Sequence, residues 1–325
     1  LLIIHMFLCY TYEIYRIFVK YNQNSLGFHA GECRAFVVDG QQVGLVRPDV
    51  MKELLNHPQV FQVHPEYVQL NPAFRDYAER SARVEEVLRK WKADEKFITL
   101  HGWREEYYEV RAQFNTQPLF KMDRSATCLF GIRKYGVDIN GYVMDPIKGL
   151  SIWLQKRSPN KQTWPGYWDN MVSGGLSVGF GINETAIKEA GEEASIPNNL
   201  IEKLKNVGCV SLFFESERGL FPNTEFVFDL ELPPDFVPSN SDGEVETFEL
   251  LPVNECLERI ASTNFKTTSV PVVLDFLIRH GYITSLTSYK LWNSFINRRF
   301  DPFSNLNCIF CSKSKSMHNA IAEKS

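Results

Sequence analysis

No run of about twenty apolar residues, the length that crosses a bilayer, occurs in this 325-residue chain. No long cluster of lysine or arginine occurs either. With a net charge of −4, that argues against a broad nucleic-acid footprint. Cysteine is sparse: Cys9, Cys33, Cys128, Cys209, Cys256, Cys308 and Cys311 are an odd number without a framework spacing. Such a set excludes a disulfide-stapled scaffold and fits a reducing compartment. Cys308 and Cys311 form one CxxC with no second pair, and His318 lies in a polar tail, which falls short of a four-ligand zinc set.

The opening LLIIHMFLCYTYEIYRIFVK begins apolar, but Glu13 and Arg16 interrupt it and no basic segment precedes it. It therefore reads poorly as a span or a signal peptide. The expectation is a cytoplasmic protein without a membrane role; organellar targeting or a membrane contact through this segment is the alternative. The chain starts at Leu1 rather than methionine, as a fragment or an imperfect gene model would.

What is present is ordinary globular composition, 44% apolar and 23% charged residues, in a length sufficient for two cores. Residues 27–66 read as a small α/β unit, with two β-rich runs around Asp39-Gly40, a strong hairpin signal. Helical patterning follows over 48–56 and 74–92. From about 126 the character turns β-rich, with GVDINGYVM and LSIWLQKRS as a hairpin across Asp145 and Pro146. VGCVSLFFESE and TEFVFDLEL read as strands, TFELLPVNECLERI as a last strand and a helix, and VVLDFLIRHGYI as a helix stopped by Gly281. The expected division is an uncertain segment 1–26, an accessory domain 27–125, a second domain 126–285 and a polar tail 286–325.

The most pointed segment is residues 174–196, GGLSVGFGINETAIKEAGEEASI. A glycine-rich stretch enters a helix on which Glu189, Glu192 and Glu193 fall at i, i+3 and i+4, one face of the cylinder. Like charges at those spacings repel, so an idle helix gains nothing from them. A hard divalent cation turns the repulsion into coordination, since Mg²⁺ is held by a few carboxylates together with substrate phosphates. Ala186, Ile187, Ala190 and Ala194 form an apolar stripe, Asn183 is a candidate N-cap, and Pro197 ends the helix.

This segment resembles the Nudix box: glycine, five residues, glutamate, seven residues, then Arg-Glu-hydrophobic-any-Glu-Glu-any-Gly-hydrophobic. Gly174, Glu189, Ala190, Glu192, Glu193 and Ile196 match. Lys188 stands for the arginine, Phe180 for the first glutamate and Ser195 for the last glycine. Lys188 keeps a charge that can pair with Glu184 and Glu192 but loses the bidentate fork. Ser195 gives up glycine's left-handed freedom. Phe180 removes a carboxylate and leaves a metal to the other three. With WDNMVSGGLSVG, DGEVETFELLPV and the preceding WREEYYEV…LFGI, the resemblance narrows to the eukaryotic subfamily labelled thiamin pyrophosphokinase-related. It covers about residues 27–285. The subfamily often carries His where this chain has Asp138.

The resemblance implies an α/β (α+β) fold: a Nudix α/β/α sandwich with a mixed sheet, preceded by a small α/β accessory domain. It implies Mg²⁺ or Mn²⁺ on Glu189, Glu192 and Glu193, and hydrolysis of a small-molecule diphosphate. The substrate it favours is oxidised or otherwise damaged thiamin diphosphate, cut to the monophosphate, a metabolite-repair activity. The Gly174-Gly175 turn is expected to let backbone approach phosphates. Relatives place a further acidic residue near Glu244 and Glu246, the candidates for a general base. Arg157 and Lys161 are candidates to meet the diphosphate, and Trp164, Tyr167 and Trp168 offer stacking faces, although aromatics so spaced also serve packing. Two alternatives stand beside this reading. One is a housecleaning hydrolase of nucleotide-type or isoprenoid diphosphates; the other is a non-catalytic Nudix-fold binding module, for which Phe180 and Ser195 speak.

Overall fold

The computed structural model describes residues 32–283 and 309–310. The opening apolar segment and Cys308, Cys311 and His318 lie outside the described residues. In the first unit, β1 (Arg34–Val38) and β2 (Gln41–Val46) form an antiparallel hairpin. Its turn takes left-handed backbone at Asp39 (φ 52°) and Gly40 (φ 72°), the twist that suits a two-residue hairpin. Helix α1 (Pro48–Leu54), β3 (Phe61–Val63) and β4 (Tyr67–Leu70) follow. They complete a four-stranded sheet of order β2-β1-β4-β3 in which β1 and β4 are parallel.

Helix α2 (Tyr77–Ala93) starts where the Asp76 carboxylate accepts from the Glu79 N–H at 2.8 Å, an N-cap that satisfies one orphan donor. Its Val84, Leu88 and Trp91 recur at helical spacing and bury against Phe36, Phe61, Phe120 and Phe130. A two-stranded ribbon, β5 (Tyr107–Val110) with β6 (Phe120–Asp123), closes the unit. This first core continues through Ile132.

The second unit is a mixed sheet flanked by helices. Its strands are β7 (Lys134–Asp145), β8 (Gly149–Arg157), β9 (Trp168–Asn170) and β10 (Val172–Gly175), then β11 (Lys205–Ser216), β12 (Gly219–Glu231), β13 (Val245–Pro252) and β14 (Ile309–Phe310). The order is β13-β8-β7-β12-β11-β14, with β9 on β8 and β10 on β7; β12 runs parallel to β7 and the other pairs are antiparallel. Strand residues alternate between faces. Val137, Ile139, Phe226 and Phe228 meet α3 (Ile182–Ala194) and the short α4 (Asn198–Ile201). Tyr142, Ile152, Leu154 and Trp168 meet α5 (Val253–Ile260) and α6 (Val270–Arg279) on the other face. The result is the expected α/β/α sandwich.

Several local expectations are corrected. Gly174 and Gly175 lie in strand β10 rather than in a turn, because the backbone of 172–175 pairs with β7 from Ile139 to Gly136. Asn183 is inside α3; the N-cap is Gly181, whose N–H donates to Glu184 at 2.8 Å. That contact occupies Glu184, so Lys188 does not pair with it. Ile187 is 48% exposed while Ala186, Ala190 and Ala194 are buried, since the apolar stripe turns away at that position.

Asp169 of β9 ties the sheet to the segment before α6. Fully buried, it accepts from Arg157 Nη1 at 2.9 Å, Lys266 Nζ at 2.8 Å and Ser269 Oγ at 2.5 Å. Burial alone would raise its pKa, but Lys266 and Arg157 hold it below the usual carboxylate value. Asp169→Asn leaves the buried Arg157 without its paired carboxylate and takes one from Lys266, so urea titration at neutral pH is expected to show a loss of about 3–5 kcal/mol. Because the folded pKa is depressed, this contribution is present above the unfolded value near pH 4 and fades as pH falls through the folded one. The gap between wild type and variant therefore holds constant from pH 7 to 5 and narrows below about pH 4.

Candidate active site

Helix α3 lies close to β10 because the contact is made by small groups. A Cβ on Gly174 would sit 2.2 Å from Glu189 Cγ, and the Glu189 side chain fills the space that glycine leaves. Ala186, Ala190 and Glu193 fall on the same stripe, so Glu193 is carried under the helix and is 1% exposed. Its Oε2 accepts from Gln155 Nε2 at 3.1 Å and from the Ser173 N–H at 2.9 Å. Its Oε1 has no hydrogen-bond partner, with Lys161 Nζ 3.8 Å away. Burial pushes the Glu193 carboxyl up and also raises Glu189.

Glu192 is half-exposed. Lys188 Nζ donates to it at 2.7 Å and to Glu189 at 3.2 Å, so one ammonium holds two of the three glutamates. Lys161, pushed down by burial, pairs with Glu244 and thereby links the helix to the segment before β13. Among the described residues no three acidic, histidine or cysteine side chains already converge as a metal cage. The donors nonetheless suit a hard cation: all are carboxylate oxygens, and a buried carboxylate oxygen with no partner is the group that a cation satisfies.

Lys161, Lys188, Glu189, Glu192 and Glu244 line a cleft of about 990 Å³ that wraps around the end of β10. Gly174 belongs to the helix face of the sheet, whereas Ser173 and Gly175 pair with Asp138 and Gly136 on the other. On that second face Asp138 and Glu225 line the cleft, Asp138 at 2% exposure with Oδ1 unpartnered. Burial raises both carboxyls, with Glu225 and Asp169 adding to the effect at Asp138, Asp169 adding to it at Glu225, and Lys266 opposing it at both. Sequence reasoning noted Asp138 only as a departure from the subfamily and missed Glu225. The parallel pairing of β12 on β7 is what brings these two strands together, and no local signal announces it.

The structure brings Glu189, Glu192, Lys161, Trp164, Gly174, Gly175 and Glu244 to the cleft, with Glu193 beneath. Arg157 reaches its edge but is held by Asp169 and the Thr163 carbonyl. Three candidates are not brought there. Glu246 pairs with Lys156 at 2.9 Å, outside the cleft lining. Trp168 is buried on the α5 side with Arg259 stacked 4.0 Å over its ring. Tyr167 packs edge-on to Trp164 at 5.2 Å and does not line the cleft. Phe180, in place of the first glutamate, is 47% exposed.

A glycine strand feeding an acidic helix on a mixed α/β/α sandwich is the arrangement that the sequence led us to expect of a hydrolase. The comparisons agree: residues 134–270 match the NUDIX domain, and residues 14–134 match DUF4743, a domain of unknown function. The chain is 33% identical over 305 residues to the uncharacterized protein YJR142W of Saccharomyces cerevisiae, covering 88% of each. It is 36% identical to Nudix hydrolase 20, chloroplastic, of Arabidopsis thaliana, over 82% of this chain and 73% of that protein. With Nudix hydrolase 24, chloroplastic, of the same plant it shares 38% over 78% of this chain and 69% of the relative. The solved structure of DR0079 from Deinococcus radiodurans superposes with a TM-score of 0.38 at 19% identity, over 51% of this chain and 97% of its own. The chain belongs to the Nudix hydrolase family, with an N-terminal DUF4743 domain. It is a Nudix-type enzyme of diphosphate bonds, in a family that generally uses divalent metals.

Two substitutions separate geometry from stability. Gly174→Ala forces Glu189 out of its place and is expected to lower kcat/KM by about 100-fold, the cost of an ångström-scale misplacement, with the melting temperature little changed. Ser195 caps α3 in the left-handed region (φ 50°, ψ 40°), which costs an L-residue about 1 kcal/mol or more. Ser195→Gly is therefore expected to stabilise the fold by about 1 kcal/mol in chemical denaturation.

Proposed function

We propose that this protein cuts oxidised thiamin diphosphate to the monophosphate, using Mg²⁺ or Mn²⁺ held by Glu189, Glu192 and Glu193. The observation that carries the reading is the unpartnered, buried Oε1 of Glu193 beside Glu189 and Glu192 at the cleft. When bound, the cation supplies charge neutralisation at the non-bridging oxygens and activation of water. The chain's own residues do the rest. Lys188 keeps Glu189 and Glu192 on the cleft side of α3, and Glu193 is anchored by Gln155 and the Ser173 N–H. Lys161 offers a cation to the diphosphate, and Glu244, its partner, is the candidate to take the proton of the attacking water.

Selection of the ring is assigned to the second face of the sheet. Burial raises the pKa of a carboxyl, and in its protonated form the group donates a hydrogen bond. Asp138 and Glu225 thus suit a ring carbonyl, the group that oxidation adds to thiamin's thiazole ring and deamination to its pyrimidine. Trp164 supplies a stacking face at the cleft wall.

The test is a panel of diphosphates assayed for monophosphate by mass spectrometry with Mg²⁺ present: oxothiamin, oxythiamin and normal thiamin diphosphates, a nucleotide sugar and an isoprenoid diphosphate. Oxidised thiamin diphosphates are expected to be cut about tenfold or more faster in kcat/KM than the normal cofactor, the size of one hydrogen bond's discrimination. Equal or absent cleavage of all three thiamin compounds overturns the reading. Glu192→Gln should lower turnover by about two to three orders of magnitude, and chelation should abolish it. Asp138→Asn should erode the preference among the thiamin compounds more than the turnover itself.

A further inference from the structure

The first unit does more than precede the second. Strand β5 docks against the glycine strand: the Val178 N–H donates to the Tyr107 carbonyl at 3.1 Å, and Ser177 Oγ donates to Glu106 at 3.4 Å. A Cβ on Gly175 would sit 1.8 Å from the Tyr108 hydroxyl, so that hydroxyl occupies the place of a side chain there. This docking brings Arg104 and Arg124 into the lining of the cleft that also holds Glu189, Glu192 and Lys188.

The two guanidinium groups share their ion-pair partner. Both lean on one carboxylate, Glu106, at 3.1 Å from Arg104 and 2.9 Å from Arg124. Among the described residues no second carboxylate makes an ion pair with either. Their side chains are about one-third exposed, so the forks are screened yet open to the cleft. Arg124 is close enough to feel the charges of Glu189 and Glu225, which places it between the two faces around which the cleft wraps. Burial, and after it repulsion from Arg124, lowers the pKa of Arg104, while Tyr108, Glu106 and Glu189 raise that of Arg124. A polyanion with paired oxygens relieves that repulsion, because the planar guanidinium fork matches phosphate bidentately.

We propose that the DUF4743 unit completes the active site: Arg124, with Arg104 beside it, binds the phosphate oxygens of the substrate diphosphate. The proposal rests on the diphosphate reading above and assigns the unit a binding role within it. Glu106 then acts as a placeholder that holds the two forks toward the cleft and yields charge to the incoming phosphates. The glutamate side would hold the cation, and the arginine side the remaining anionic oxygens, so neither unit forms the site alone.

The test uses the full chain and methylenediphosphonate, a diphosphate that cannot be hydrolysed at the bridge, titrated calorimetrically with and without Mg²⁺. Arg124→Gln and Arg104→Gln are each expected to weaken binding by about tenfold or more, as loss of a charged bidentate contact does. Arg124→Lys should recover part of the loss. Arg83→Gln, a substitution at an exposed site on the same unit, should bind as wild type. Glu106→Gln separates binding from structure: it is expected to strengthen binding about twofold or more by freeing the forks, whereas a merely structural arginine pair predicts weakening. Wild-type binding with Arg124→Gln and Arg104→Gln both within twofold of it overturns the inference, as does weakening by Glu106→Gln. If Arg124→Gln does not fold, Arg104→Gln and Glu106→Gln decide. No binding of the diphosphonate by wild type, with or without Mg²⁺, sinks the diphosphate reading itself.

Discussion

Two adjacent glycines at the end of β10 are the constraint on which the site depends. Backbone pairing with β7 points successive residues to opposite faces of the sheet. The space that Gly174 leaves on one face is filled by Glu189 from α3, and that of Gly175 on the other by Tyr108 from the first unit. A side chain at the first position displaces a metal-ligand candidate. At the second it pushes the units apart. The same dipeptide thus sets the depth of the helix and the seat of the accessory domain.

That close packing explains why Glu193 is buried at all. A helix carried on alanines comes near enough for the Ser173 N–H to reach the carboxylate, and the residue three positions past Ala190 has nowhere to go but inward. A buried carboxylate with one satisfied oxygen is costly unless it is neutral or meets a cation. Lys161 and Lys188 are cations at this edge, Lys161 paired with Glu244 and Lys188 with Glu189 and Glu192. The stability given up by burying Glu193 is the kind that functional sites retain.

The cleft is bipartite in charge. Its helix side carries glutamates and lysines; its far side carries Asp138 and Glu225 beneath Arg104 and Arg124 from the other unit. The seam between the two units runs along this cavity, since residues of both line it. The chain's resemblance to its plant and yeast relatives spans both units.

Local pattern made much of this legible. The Asp39-Gly40 hairpin, the Asp145 hairpin, α2, α6 with Gly281 and the glutamate helix all announce themselves through turn chemistry and period, because those signals act within a few residues. The three glutamates and Lys188 were legible as a set for the same reason. What the sequence could not assign depends on strands distant in the chain. Trp168 and Glu246 look functional by composition, but strand alternation and the partners Arg259 and Lys156 send them elsewhere. Glu225 looks unremarkable, and Asp138 no more than a departure from the subfamily, until the parallel pairing of β12 with β7 brings their strands together. Arg104 and Arg124 gain meaning only when β5 docks on β10. The sequence determined which helix carries the acid, since that is a matter of spacing along one chain segment; the tertiary structure alone decided what faces it, since burial and charge neighbours are set by residues that meet only on folding.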